Sequence, residues 1–132
     1  MKIQTLSQIN KIQRREFFRF EANLPIRYRI FESANSKSNQ EFIEAVTRDI
    51  SGGGLCIRLI EPVEMDKYIE CELILSTKVK FIGKVVRLTE YDTLHGQYKY
   101  EIGVSYKNID EPMREKIISY IFQEQRRLLK KG

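Results

Sequence analysis

Three guanidinium groups stand close together near the start of the chain: Arg14, Arg15 and Arg19, within "QRREFFRFE", residues 13–21. A guanidinium can stack its plane on a purine. It can also fork two hydrogen bonds to guanine O6 and N7, or to two phosphate oxygens. Arg15 and Arg19 are four residues apart, a spacing that keeps both on one side of a strand or a helix. A second group follows in "DISGGGLCI", residues 49–57, where Asp49 and Ser51 share one side of an extended chain. Gly52, Gly53 and Gly54 let the backbone turn and allow close approach of another group. Each group also has a plainer reading: a basic arm in water, and a hairpin whose Asp and Ser bond neighbouring amides.

Other chemistry finds little support. His95 is the single histidine, and Cys56 and Cys71 are the two cysteines, too few for a four-ligand zinc site. Both cysteines fall in apolar strand-like runs and read as buried thiols, not as a disulfide. Asp49 and Ser51 have no histidine near them in sequence, so no triad is visible and no enzyme is expected. The glycine run lacks the spacing of a Walker A loop, and no helix follows it.

The elements that must position these residues follow from periodicity. In 132 residues the chain carries 42% hydrophobic residues and a net charge of +5, which suits one globular domain with an anionic partner. No apolar run is long enough to span a membrane and no signal peptide opens the chain, so a cytoplasmic protein without membrane insertion is expected. Alternation predicts six strands. "LPIRYRIF" turns Leu24, Ile26, Tyr28 and Ile30 one way, and "EFIEAVTRDI" turns Phe42, Val46 and Ile50 one way. "LCIRLI", "YIECELILS" and "KVKFIGKVVRLTEY" follow, the last with a kink or bulge at Gly83. Glu70 and Glu72 read as a solvated strand face, and "DTLHG" as a turn region before "QYKYEIGVSYKN". The period then becomes helical, with Met113, Ile117, Ile118, Ile121, Phe122, Leu128 and Leu129 in "DEPMREKIISYIFQEQRRLLKK". Asp110 is a natural N-cap and Pro112 fits the first turn. The expected fold is mainly β: a six-stranded antiparallel barrel with a C-terminal helix at about 110–130 and a flexible N-terminal arm. The arm covers residues 1–20 and the barrel with its helix residues 21–132.

"RREFFR" followed by "DISGGG" resembles the PilZ domain family, whose signature pairs an R-x-x-x-R arm with a [D/N]-x-S-x-x-G strand-turn. Arg15 and Arg19 match the first half, and Asp49, Ser51 and Gly54 match the second. The resemblance covers about residues 12 to 130. It implies a six-stranded barrel and a receptor for cyclic di-GMP. The arm arginines would then contact guanine and phosphate, Asp49 and Ser51 a guanine edge, and Gly54 would allow the turn, with Gly53 beside it also expected in the ligand-binding set. Arg14, just before the motif, implies two intercalated ligand molecules per chain. Phe17, Phe18 and Phe20 are expected to pack rather than to stack on bases. "RREFFRF" and "ISYIFQEQRRLLKKG" look most like the PilZ half of flagellar-brake proteins, which carry a further domain upstream. The chain is expected to stand alone or to have lost that domain.

The resemblance therefore implies a non-enzymatic cyclic di-GMP sensor, a monomer or weak dimer, with no metal, DNA or RNA. Its arm would order on binding and regulate motility or surface attachment through a protein partner, with the flagellar motor as one candidate. Two alternatives remain: a barrel that binds single-stranded nucleic acid, and a PilZ adaptor that binds no ligand.

Overall fold

A computed structural model describes residues 19–31 and 41–131. Arg14, Arg15, Phe17 and Phe18 lie outside the described residues. The strands are β1 (Phe20–Glu21), β2 (Pro25–Phe31), β3 (Ile43–Ile50), β4 (Gly54–Leu59), β5 (Tyr68–Ile74), β6 (Lys78–His95) and β7 (Tyr98–Asn108), followed by the helix α1 (Glu111–Lys131). Strands β3, β2, β5, β6, β7 and β4 hydrogen-bond in that order, and β4 returns to β3, so six antiparallel strands close a barrel. The two residues of β1 continue the β2 edge of β3. Closure leaves none of the six with an unpaired edge along its whole length.

Alternation explains most of the core. Ile26 and Tyr28 of β2, Ile57 and Leu59 of β4, Ile69, Cys71 and Leu73 of β5, and Ile102 of β7 are buried inside. Outside, the β2–β5 register places Arg27 opposite Glu72 and Arg29 opposite Glu70. Glu72 is not a solvated residue as its alternation suggests. It is buried beneath Arg27 (2.6 Å) and Lys78 (3.2 Å). Arg27 and Arg29 both lie against the Phe42 ring, with guanidinium carbons 4.7 and 4.3 Å from its centre.

Strand β3 departs from the expected phase. Ala45 and Thr47 face inward instead of Phe42 and Val46, and a register shift between Thr47 and Asp49 then brings Ile50 into the core. An extra residue in one strand reverses which face its neighbours occupy. In β6 the expected bulge occurs between Ile82 and Gly83, and a further one lies between Val85 and Arg87. Strand β6 also runs through most of the predicted turn to His95. The reversal is confined to Gly96 and Gln97, with Gly96 at φ +63°.

Helix α1 begins after Asp110, whose carbonyl accepts the Arg114 amide at 2.9 Å. Ile117 and Ile121 enter the core, with Met113 and Tyr120 beside them, whereas Phe122, Leu128 and Leu129 are exposed. The ring of Phe20 meets Tyr120 edge-on at 6.4 Å, as expected of a packing residue.

Candidate functional site

Asp49 stands in β3 immediately after the bulge and is paired with Cys56 of β4 on one side and Glu21 of β1 on the other. Arg19 directly precedes β1, so the pairing of Phe20 with Ile50 and Glu21 with Asp49 brings it to the motif strand. Thr47 secures this connection. Its hydroxyl donates to the Ala22 carbonyl and accepts the Leu24 amide, 2.9 Å away. The Ala22 amide donates to the Arg48 carbonyl at 3.1 Å.

The turn after β3 is built on Ser51. Its hydroxyl donates to the Gly54 carbonyl (3.0 Å) and lies within reach of the Gly53 and Gly54 amides (3.3 and 3.2 Å). From β7, the Tyr106 hydroxyl donates to the Ser51 carbonyl at 2.9 Å. Gly54 is required by close approach: a Cβ there would stand 2.1 Å from the Val104 carbonyl oxygen.

Arg19, Asp49, Ser51, Gly53 and Gly54 line one cavity of about 330 Å³. Its remaining walls are Leu55 and Cys56 of β4, Val86 and Arg87 of β6, and Gly103, Val104 and Ser105 of β7. The two sequence segments therefore meet through the residues of each that are described. Arg14 and Arg15 lie outside the described residues.

Asp49 and Arg87 of the cavity lining belong to a charged cluster whose Arg48, Arg87 and Glu101 sequence reading missed. Arg48 donates through Nε and Nη2 to Asp49 Oδ2 (3.0 and 2.9 Å) and through Nη1 to both carboxylate oxygens of Glu101 (2.8 Å each). Glu101 is buried and also receives Arg87 Nη2 (3.3 Å) and the Tyr91 hydroxyl. Burial pushes its carboxyl pKa up, but the Tyr91 hydrogen bond and the charges of Arg48 and Arg87 outweigh it, so the pKa lies below the usual value. Tyr91 shifts upward, through burial and its bond to Glu101. The Cys56 thiol, 3.5 Å from Arg87 Nη2, is pushed by burial to about 11, so it is protonated and poorly nucleophilic near neutral pH. Arg48 had a local signal in its place beside Asp49, but Arg87 and Glu101 had none. Both cysteines are free and buried, Cys71 inside the barrel and Cys56 under these arginines. No group of acidic, histidine and cysteine residues that could hold a metal is found among the described residues.

Comparison with known proteins gives one family. The model described as "PilZ domain" matches residues 13–123. No curated protein matches the chain. Among solved structures, it is similar to the Bacillus subtilis inhibitor of motility (MotI/DgrA), with TM-score 0.69 and 18% identity over 86% of this chain and 52% of that one. The PilZ domain with c-di-GMP of YcgR from Escherichia coli gives 0.64 and 15%, over 90% and 97%. K. pneumonia MrkH gives 0.67 and 17%, over 88% and 50%. At these identities the likeness is one of fold. The chain spans about half the length of the MotI/DgrA and MrkH chains.

Proposed function

The chain belongs to the PilZ domain family, and from that premise we propose that it is a receptor for cyclic di-GMP. The observation that carries this reading is the meeting of Arg19 with Asp49, Ser51, Gly53 and Gly54 around one cavity, although Arg19 lies thirty residues from Asp49 in sequence. Asp49 Oδ2 is held by Arg48, leaving the carboxylate to accept from a guanine edge, and Arg19 supplies a guanidinium for phosphate or for O6 and N7. Arg15 completes the arm motif and would join Arg19 on the ligand. Ligand binding orders residues 12–18 against the cavity, ahead of the β1–β3 pairing that already holds Phe20, and the ordered arm is the surface that a protein partner reads.

MotI/DgrA is named an inhibitor of motility, and the YcgR structure carries c-di-GMP. Their resemblance in fold supports control of motility or surface attachment as the process. A binding role without catalysis fits the site, since Ser51 has no histidine base among its partners and its hydroxyl is bonded within the turn. Single-stranded nucleic acid is disfavoured because the described lining holds no aromatic platform on which bases could stack.

Calorimetric titration with cyclic di-GMP tests the proposal and reads stoichiometry together with affinity. Saturable binding that persists at high salt is expected. Failure to bind, or binding only to oligonucleotides with a steep loss in salt, would overturn it.

A further inference from the structure

Arg87 reaches the site by a route that involves neither motif. Cross-strand partners place Arg87 opposite Gly103, Gly103 opposite Cys56, and Cys56 opposite Asp49. The row thus runs from β6 to β3 across two small residues, and its floor is low where a ligand must lie. The side chain of Arg87 lies over Gly103, where a Cβ would stand 3.2 Å from Arg87 Nε and 3.3 Å from Arg87 Cβ. Its guanidinium ends beside Cys56 and Glu101 at the cavity wall, with 42% of the side chain still exposed.

Its partner is also shared. Glu101 already accepts two hydrogen bonds from Arg48 and one from Tyr91, and its contact with Arg87 is a single one at 3.3 Å. Of the charged residues that line the cavity, Arg19 and Arg87 are cationic and Asp49 is anionic, so the described lining carries an excess of positive charge. An anion that offers two oxygens to a guanidinium can form the bidentate pair that Glu101 does not.

We infer that Arg87 is a ligand-contacting residue: Glu101 holds its guanidinium at the cavity wall, and a phosphate of the bound dinucleotide recruits it. This rests on the reading of the cavity as a cyclic dinucleotide site. Glu101 then positions two arginines at once, Arg48 for Asp49 and Arg87 for the phosphate.

The test compares cyclic di-GMP titrations of wild type, Arg87→Ala and Arg87→Lys at several salt concentrations, with ligand-free thermal unfolding of each. Arg87→Ala is expected to weaken binding by about tenfold or more and to make affinity less sensitive to salt, because one charge no longer faces the phosphate. Arg87→Lys keeps the charge and its salt sensitivity but loses the fork, giving an intermediate affinity. It carries the test if the alanine variant fails to fold. Wild-type affinity in both variants, or a loss without change in salt sensitivity, would overturn the inference and leave Arg87 a structural partner of Glu101. If wild type itself does not bind, the reading of the cavity fails, not the role of Arg87 alone.

Discussion

Asp49 and Arg87 lie in one cross-strand row, and each is turned to the outer face of the barrel by a bulge. Thr47 and Val85 are fully buried, so strict alternation would send Asp49 and Arg87 inward after them. The register shifts between Thr47 and Asp49, and between Val85 and Arg87, reverse that. Bulges re-aim side chains, and here two of them aim opposite charges at one cavity.

Arg19→Ala is expected to lower affinity for cyclic di-GMP by at least ~10-fold, since a hydrogen bond to a charged group contributes about 1.5–3 kcal/mol. Arg19 is exposed and precedes β1, so thermal unfolding of the free protein should stay close to wild type. A large loss of stability with binding intact would make Arg19 structural.

Gly54→Ala should destabilise the fold itself. The added Cβ would meet the Val104 backbone, which cannot yield without parting β4 from β7. The expected cost is on the order of 1–3 kcal/mol, read as a lower unfolding temperature, with ligand binding lost as well. An unchanged unfolding temperature would show that the two strands have slack there.

Acid should remove the support that Glu101 gives. Its pKa is depressed below the ordinary 4.5, so its contribution is fully present above that value and is lost as pH falls through the folded pKa. Glu101→Gln lacks this contribution at every pH. The gap in unfolding temperature between wild type and variant should therefore be widest near neutrality and shrink below pH 4.5. A gap that stays constant on acidification would show that ionisation of Glu101 is not what stabilises the cluster.

Amide exchange should slow at residues 15–18 when cyclic di-GMP is added, as the arm orders next to the β1–β3 pairing that already holds Phe20. Unchanged exchange there, with binding demonstrated, would separate recognition from arm ordering.

Two ligands per chain are expected in the wild type, with Arg14 covering an exposed guanine face by a stacking contact of roughly 0.5–2 kcal/mol. Arg14→Leu removes the planar cation and should shift saturation toward one ligand while keeping measurable affinity. A wild-type titration that saturates at one, unchanged in the variant, would refute the role.

The sequence by itself determined the six barrel strands in outline, most of the core and the position of the helix, because period-two and period-3.6 patterns report burial directly; the short β1 and the extension of β6 to His95 were not legible in it. Ile57, Leu59, Ile69 and Leu73 were legible in this way, as were Ile117 and Ile121. Both motif segments were legible as local strings, since Asp49, Ser51 and Gly54 lie within six residues. Only the tertiary structure decided the change of phase along β3, where Ala45 and Thr47 face inward before the bulge and Ile50 after it, because a bulge reverses a strand's faces without interrupting the strand. It alone also decided that Phe122, Leu128 and Leu129, which continue the apolar spacing of α1, remain exposed, since the barrel offers the helix only one contact face. The charged cluster depended on closure as well. Arg48 and Glu101 are 53 residues apart, and Arg87 and Cys56 are 31 apart. Such neighbours are set by inter-strand register, which each strand's own pattern constrains only to within a shift of two residues.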